Sequence, residues 1–224
     1  MVLSIFLKYI TICTVICLGF GLAVTTTSII KRIYKDSFNG SYLIQFWSLV
    51  IALIVWKLSP SDIHFFETHN LWNLKNIVLM LICIMPTAII VCIGRKYKPN
   101  EPFKMGNFLN GASMEIPQRL LVQNLFVVLG VNTIIYKSIT LAILLNALIW
   151  VQFILIQEII SGNKITLKII PEIIASFWFS IWVGVIYMDT GNILIAMLTH
   201  GLQRIITHGI RLKFGKQEIK RFNL

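Results

Sequence analysis

An acidic and a basic side chain stand four residues apart inside an apolar stretch, at Glu115 and Arg119. Ionisable side chains within a membrane span cost at least about 2.5–3.5 kcal/mol each, so by default they indicate a function. On a helix Glu115, Arg119 and Gln123 share one face, as do His200 and Arg204. A carboxylate can act as a general base, and an imidazole can stabilise an oxyanion or transfer a proton. A carboxylate and an imidazole with these roles could together catalyse the hydrolysis of a peptide bond inside a membrane.

The same residues also have a structural interpretation. Glu115 and Arg119 can form a buried ion pair, while Asn146 and Gln152 of a later apolar segment can form hydrogen bonds between helices. A single glutamate and a single histidine do not choose between pairing and catalysis, so both interpretations stay open. We place Asn146, Gln152 and Arg204 in one polar cavity with the charged pair.

The composition is that of a membrane protein. Apolar residues make up 57% of the chain and charged residues 13%, and the mean hydropathy is +0.80, whereas soluble domains are about 25% charged. The net charge of +11 comes mostly from the connections and the tail. The basic tail could be a nucleic-acid arm or an anionic-lipid patch, but we prefer the positive-inside signal of a membrane protein as its interpretation. We therefore expect a lipid bilayer as partner and no nucleic acid. All four cysteines lie in apolar runs and are expected to be buried hydrophobic residues, not metal ligands or disulfides: Cys13, Cys17, Cys83 and Cys92.

The fold class that follows is an all-α polytopic membrane protein with about seven transmembrane helices. A span needs about 20 mostly apolar residues, and the stretch from Ile5 to Ile30 is too long for a signal peptide. A tight helix hairpin at Asp189–Asn192 is expected between the last two spans. The predicted spans are 5–30, 41–58, 75–94, 112–131, 138–160, 173–189 and 191–209.

Lysine and arginine concentrate in alternate connections, which predicts the orientation because such residues favour the cytoplasmic side. The tail and three connections carry them, whereas the alternate connections hold only Lys137, with Lys57 and Lys75 at the border of one. We predict an outside N-terminus and a cytoplasmic C-terminus. The chain then divides into N-terminal helices (1–104), a core (105–210) and a basic cytoplasmic tail (211–224).

The order of the polar residues resembles the CAAX protease and bacteriocin-processing (CPBP) family of intramembrane glutamic proteases. The resemblance covers about residues 105–210 and includes the hairpin from Gly184 to Leu194. It implies a helical bundle that cleaves a peptide or membrane-protein substrate, with Glu115, Arg119 and His200 as the retained site residues. The motifs Glu-Glu-x-x-x-Arg, Phe-x-x-x-His and His-x-x-x-Asn/Asp correspond to Met114–Arg119, Leu148–Gln152 and His200–Arg204.

Three positions depart from the family pattern. The first glutamate of the family pair, usually taken as the base that activates water, is Met114 here. Gln152 replaces a histidine and cannot exchange a proton near neutral pH. Arg204 replaces Asn or Asp, and a permanent cation near Glu115 would weaken that carboxylate as a base. The sequence therefore predicts reduced proteolytic activity, with a non-catalytic bacteriocin self-immunity factor or membrane regulator as the alternative.

No metal or other cofactor is expected. One histidine beside one carboxylate and two arginines makes a poor site for a divalent cation. His64 and His69, with Asp62 and Glu67, are expected to be solvated loop residues. A small transporter is a third possibility, since intramembrane charge also marks ion paths, but the sequence shows no paired broken helices.

Overall fold

The computed structural model describes residues 2–34, 42–58, 65–67, 72–94, 105–160 and 169–222. Asp62, His64 and His69 lie outside these ranges, so their prediction stays a prediction. Of the cysteines whose side chains are described, Cys83 is buried as predicted, whereas Cys17 lies on an exposed face of its helix.

The described chain is a bundle of helices with one short hairpin. The helices are α1 (Val2–Tyr34), α2 (Leu43–Leu58), α3 (Leu74–Gly94), α4 (Met105–Ser113), a π-helix (Ile116–Gln123), α5 (Asn124–Val128), α6 (Leu141–Ile160), α7 (Ile170–Thr190) and α8 (Ile193–Phe222). The hairpin consists of β1 (Ile134–Tyr136) and β2 (Ile139–Thr140). The all-α class of a helical membrane protein is confirmed.

Three of the described helices are long and apolar enough to cross a membrane: Leu3–Ile30, Leu141–Ile160 and Ile170–Thr190. The apolar stretches Leu43–Leu58, which is all of α2, and Leu74–Ile90, which is the first part of α3, are shorter. Helix α8 starts at the predicted hairpin and continues through Phe222, so the backbone of the predicted tail prolongs this helix.

The predicted span at 112–131 is not one regular helix. Helix α4 ends at Ser113, and the N–H of Met114 donates to the carbonyl groups of both Asn110 and Gly111. Pro117 explains the interruption, because a proline ring clashes with the carbonyl four residues earlier, here that of Ser113. Pro117 itself lies in the first turn of the following π-helix, where a proline is tolerated because its missing N–H would have no intrahelical partner. The chain widens into a π-helix where the polar residues lie.

The predicted span at 138–160 begins later, at Leu141. The residues just before it belong to the hairpin, in which Ile134 pairs with Thr140 and Tyr136 with Ile139. Lys137 adopts a positive φ of 49° in the turn between the strands, a conformation that two-residue hairpin loops require. The 132–137 segment is therefore partly a strand and not an irregular loop.

The hairpin between α7 and α8 has the predicted position. Gly191 has φ 59° and its N–H donates to the carbonyl of Tyr187 at 2.9 Å, which ends α7. The segment 65–67 pairs with this turn: Glu67 N–H donates to Gly191 O at 3.1 Å, and Ile193 N–H to Phe65 O at 3.0 Å. This pairing fixes where α8 begins, and therefore the height of its side chains in the bundle.

Candidate functional site

Glu115 is the centre of a buried polar cluster. It precedes the π-helix and its side chain is fully buried. Its Oε2 accepts a hydrogen bond from Arg119 Nε at 3.0 Å, and its Oε1 lies 2.5 Å from Nδ1 of His200 on α8. The structure therefore brings together the three residues predicted as catalytic, one of them 85 positions away along the chain.

Arg119 is fully buried and directs each of its three nitrogens to a protein group. Besides Nε to Glu115, its Nη1 donates to Gln123 Oε1 at 3.0 Å. Its Nη2 donates to the carbonyl and the hydroxyl of Ser180 on α7, at 2.8 and 3.1 Å. The predicted inward face of Glu115, Arg119 and Gln123 is confirmed. A guanidinium held in this way fixes the carboxylate relative to α7.

Gly184 lets the π-helix approach α7 closely. Its carbonyl accepts a hydrogen bond from Gln123 Nε2 at 3.2 Å. A Cβ at this position would lie 2.9 Å from a methyl group of Ile143, 3.0 Å from Gln123 Oε1 and 3.3 Å from Arg119 Nη1. Sequence reasoning missed Ser180 and Gly184, although small residues four apart in an apolar helix are the usual signal of close helix packing.

His200 is held from two sides. Its ring centroid lies 4.6 Å from that of Phe179 on α7. On the other side α4 packs so closely that a Cβ on Gly111 would lie 3.2 Å from His200 Cδ2. The imidazole is 5% exposed. Nδ1 faces Glu115, so Nε2 is the ring nitrogen that this contact does not use.

Two further contacts extend this packing. A Cβ on Gly201 would overlap the ring of Phe108, so α4 lies directly against α8 next to His200. Asn124 Nδ2 donates to Tyr187 Oη at 2.9 Å, and both residues are buried. The polar contacts therefore continue along α7 beyond Gly184. The sequence shows Asn124 directly after Gln123, but it does not show which helix faces it.

Arg204 lies at the edge of the cluster. Its side chain is exposed, and Nη2 lies 3.9 Å from Sδ of Met114. Both carboxylate oxygens of Glu115 are engaged by Arg119 and His200. Of the two arginines expected near Glu115, the geometry selects Arg119 as its ion-pair partner.

The polar cavity predicted from Asn146 and Gln152 does not form as one site. Gln152 is exposed, and its Oε1 accepts a hydrogen bond from Tyr9 Oη of α1 at 2.6 Å. Asn146 is buried. Six residues along an α-helix put two side chains roughly 120° apart around its axis, so the two residues of α6 cannot face the same point. Gln152 is corrected to a contact between α6 and α1.

The comparisons with known proteins agree with the motif order. Residues 105–206 match the family described as type II CAAX prenyl endopeptidase Rce1-like. Comparison with curated proteins and with solved structures gave no match. The matched range contains Glu115, Arg119 and His200, together with the parts of α7 and α8 that hold them. The region from residue 105 to residue 206 is therefore similar to CAAX-protease-like membrane proteins, and the predicted family resemblance is confirmed over this region.

Proposed function

We propose that the chain is a membrane peptidase that cleaves a peptide or membrane-protein precursor, with Glu115 and His200 as its reacting pair. The observation that carries this proposal is the 2.5 Å contact between Glu115 Oε1 and His200 Nδ1 inside the bundle. A carboxylate and an imidazole in direct contact, shielded from bulk water, can be tuned for proton transfer. The family match over the same residues supports this chemistry.

The geometry suggests a different role in proton transfer for each of the two residues. An ionised carboxylate only accepts hydrogen bonds, so Nδ1 of His200 carries the proton of this contact and Nε2 is the basic nitrogen. In the proposed reaction Nε2 takes a proton from water while the water oxygen bonds to the scissile carbonyl carbon. The same proton then passes to the departing amine nitrogen. Glu115 holds the ring and stabilises the imidazolium, as the carboxylate of a catalytic triad does.

With His200 as the base, the reaction does not require a glutamate at position 114, where this chain has Met114. The sequence interpretation made Glu115 the base, but both of its oxygens are occupied by Arg119 and His200. We assign Arg119 as a positioning residue, because its nitrogens bind protein groups and reach Glu115 without reaching substrate. His200 then becomes the proton acceptor.

The second candidate function is a non-catalytic membrane binding protein, such as a bacteriocin self-immunity factor or a regulator. Two observations favour it. Met114 contacts Arg204 where the family has a carboxylate, and Gln152 binds Tyr9 and not the buried cluster. In such a protein the ion pair would only maintain the shape of the bundle.

The two candidates differ in their response to one isosteric change. Wild type and Glu115→Gln, purified in lipid vesicles, are incubated with CAAX peptides and with peptide precursors encoded near the gene, and products are detected by mass spectrometry. The peptidase predicts cleavage by wild type and a large loss in Glu115→Gln, since an amide cannot stabilise the imidazolium. No cleavage by wild type, together with equal peptide binding by both proteins, would replace it with the binding protein.

A further inference from the structure

The β1–β2 hairpin exposes an apolar strand. Ile134, Ile135 and Tyr136 are 68%, 53% and 61% exposed. Successive side chains of a strand point to opposite faces, so apolar groups project from both sides of β1. Contact of this much apolar surface with water is unfavourable, which indicates that something other than water surrounds the hairpin.

The position of the hairpin along the chain identifies its surroundings. Strand β2 ends at Thr140 and the apolar helix α6, long enough to span a membrane, begins at Leu141. The N–H of Leu141 donates to the carbonyl of Thr133 at 2.8 Å, which ties the base of the hairpin to the first residue of the span. The exposed strand is therefore held at the end of a membrane helix.

Two cations lie at the same end of the bundle. Lys137 Nζ is 5.2 Å from the centroid of the Tyr136 ring. Lys8 of α1 approaches α5, since its Nζ lies 3.8 Å from where a Cβ on Gly130 would be. A tyrosine beside lysines is typical of the layer where lipid headgroups meet the acyl chains.

We propose that the hairpin is embedded in the headgroup layer of the bilayer, with Ile134, Ile135 and Tyr136 against the upper acyl chains and Lys137 beside a lipid phosphate. The continuity of β2 with α6 selects lipid as the occupant over a peptide or a second copy of the chain. This inference is independent of whether the buried cluster is catalytic.

Spin labelling tests the depth of the hairpin. Ile135→Cys is introduced in a cysteine-free background, labelled with a nitroxide and reconstituted in phosphatidylcholine vesicles with and without phosphatidylglycerol. Its collision rates with oxygen, which concentrates in lipid, and with a water-soluble nickel chelate are compared. Leu148→Cys, exposed midway along α6, serves as the acyl-chain reference, and nitroxide-labelled glutathione as the water reference.

The oxygen-to-nickel ratio at position 135 is expected to lie several-fold above that of glutathione and below that of position 148. Lys137→Glu should lower the ratio more in vesicles with phosphatidylglycerol than in those without it. A ratio equal to that of labelled glutathione would overturn the proposal. So would low collision with both reagents together with spin–spin broadening that disappears on dilution with unlabelled protein, because a second copy would then cover the hairpin.

Discussion

Glu115 uses one carboxylate oxygen for a guanidinium and the other for an imidazole, and all three groups are buried. Burying charges is favourable only when each is paired and hydrogen-bonded. The sequence could predict Glu115, Arg119 and His200 because charges inside apolar segments stand out. The small residues Ser180 and Gly184, four apart, indicate close helix packing. They do not show which helix packs there, since the groups they offer to the cluster include backbone carbonyls, which every residue has.

Arg119→Ala is expected to destabilise the protein strongly. Removing one partner of a buried ion pair leaves an uncompensated charge and costs about 3–5 kcal/mol. Thermal unfolding in detergent measures the effect. The matched control is Arg204→Ala, at the exposed edge of the cluster, which should lower the midpoint of thermal unfolding much less. Equal shifts for the two variants would show that Arg119 does not stabilise the buried polar cluster.

Gly184→Ala is expected to separate the π-helix from α7. The added methyl group meets Ile143, Gln123 and Arg119 at 3.3 Å or less, and overpacking of this kind costs about 1–3 kcal/mol. Unfolding in detergent and peptide cleavage should both be impaired. Gly21→Ala is the control, because an added Cβ there meets no heavy atom within 4 Å other than those of its own helical turn. An effect no larger than that of the control would exclude close packing at Gly184.

At the scale of elements, the segment from α4 to α5 decides where the reacting groups lie. Hydropathy indicates a single span at 112–131, because apolar composition alone does not reveal a break in a helix. Pro117 is compatible with the first turn of a helix, but a sequence gives no direct signal that the following turn will widen to a π-helix. The close contact between α4 and α8 was also not predicted. Phe108 and Gly201 are 93 residues apart in the chain, and neither has neighbours in the sequence that distinguish it from other residues of an apolar segment.

The contact between Phe108 of α4 and Gly201 of α8 can be tested by a double-mutant cycle. Gly201→Ala places a methyl group against the ring of Phe108 and is expected to destabilise the protein by about 1–3 kcal/mol. In a Phe108→Ala background the same change should have little effect, because the clashing ring is gone. The free energies of unfolding give the coupling. Strictly additive effects would mean that the two side chains do not meet.

At the scale of the whole molecule, two of the connections that the charge pattern assigns to one side contact each other. The segment 65–67 pairs with 191–193, and Lys8 lies near Gly130. Composition was sufficient to predict a helical membrane protein. The number of spans was harder to predict, because α2 has only 16 residues, fewer than the roughly 20 that a span needs.

The predicted orientation has an outside N-terminus and a cytoplasmic C-terminus. It follows from the excess of Lys and Arg in alternate connections and in the tail. Reporter fusions to the C-terminus, active only in the cytoplasm or only outside it, measure the orientation in cells. Activity of the cytoplasmic reporter alone is expected, and activity of the outside reporter alone would reverse the orientation.

The central claim is that Glu115 and His200 form a proton-transferring pair, and it is tested most directly by peptide cleavage with His200→Gln. Loss of a general base reduces the rate by about 10²–10⁴-fold, and His208→Gln on the same helix provides the matched control. The account predicts that His200→Gln loses cleavage by this factor while it folds and binds peptide, and that His208→Gln cleaves at the wild-type rate. Cleavage by His200→Gln at the wild-type rate would contradict it.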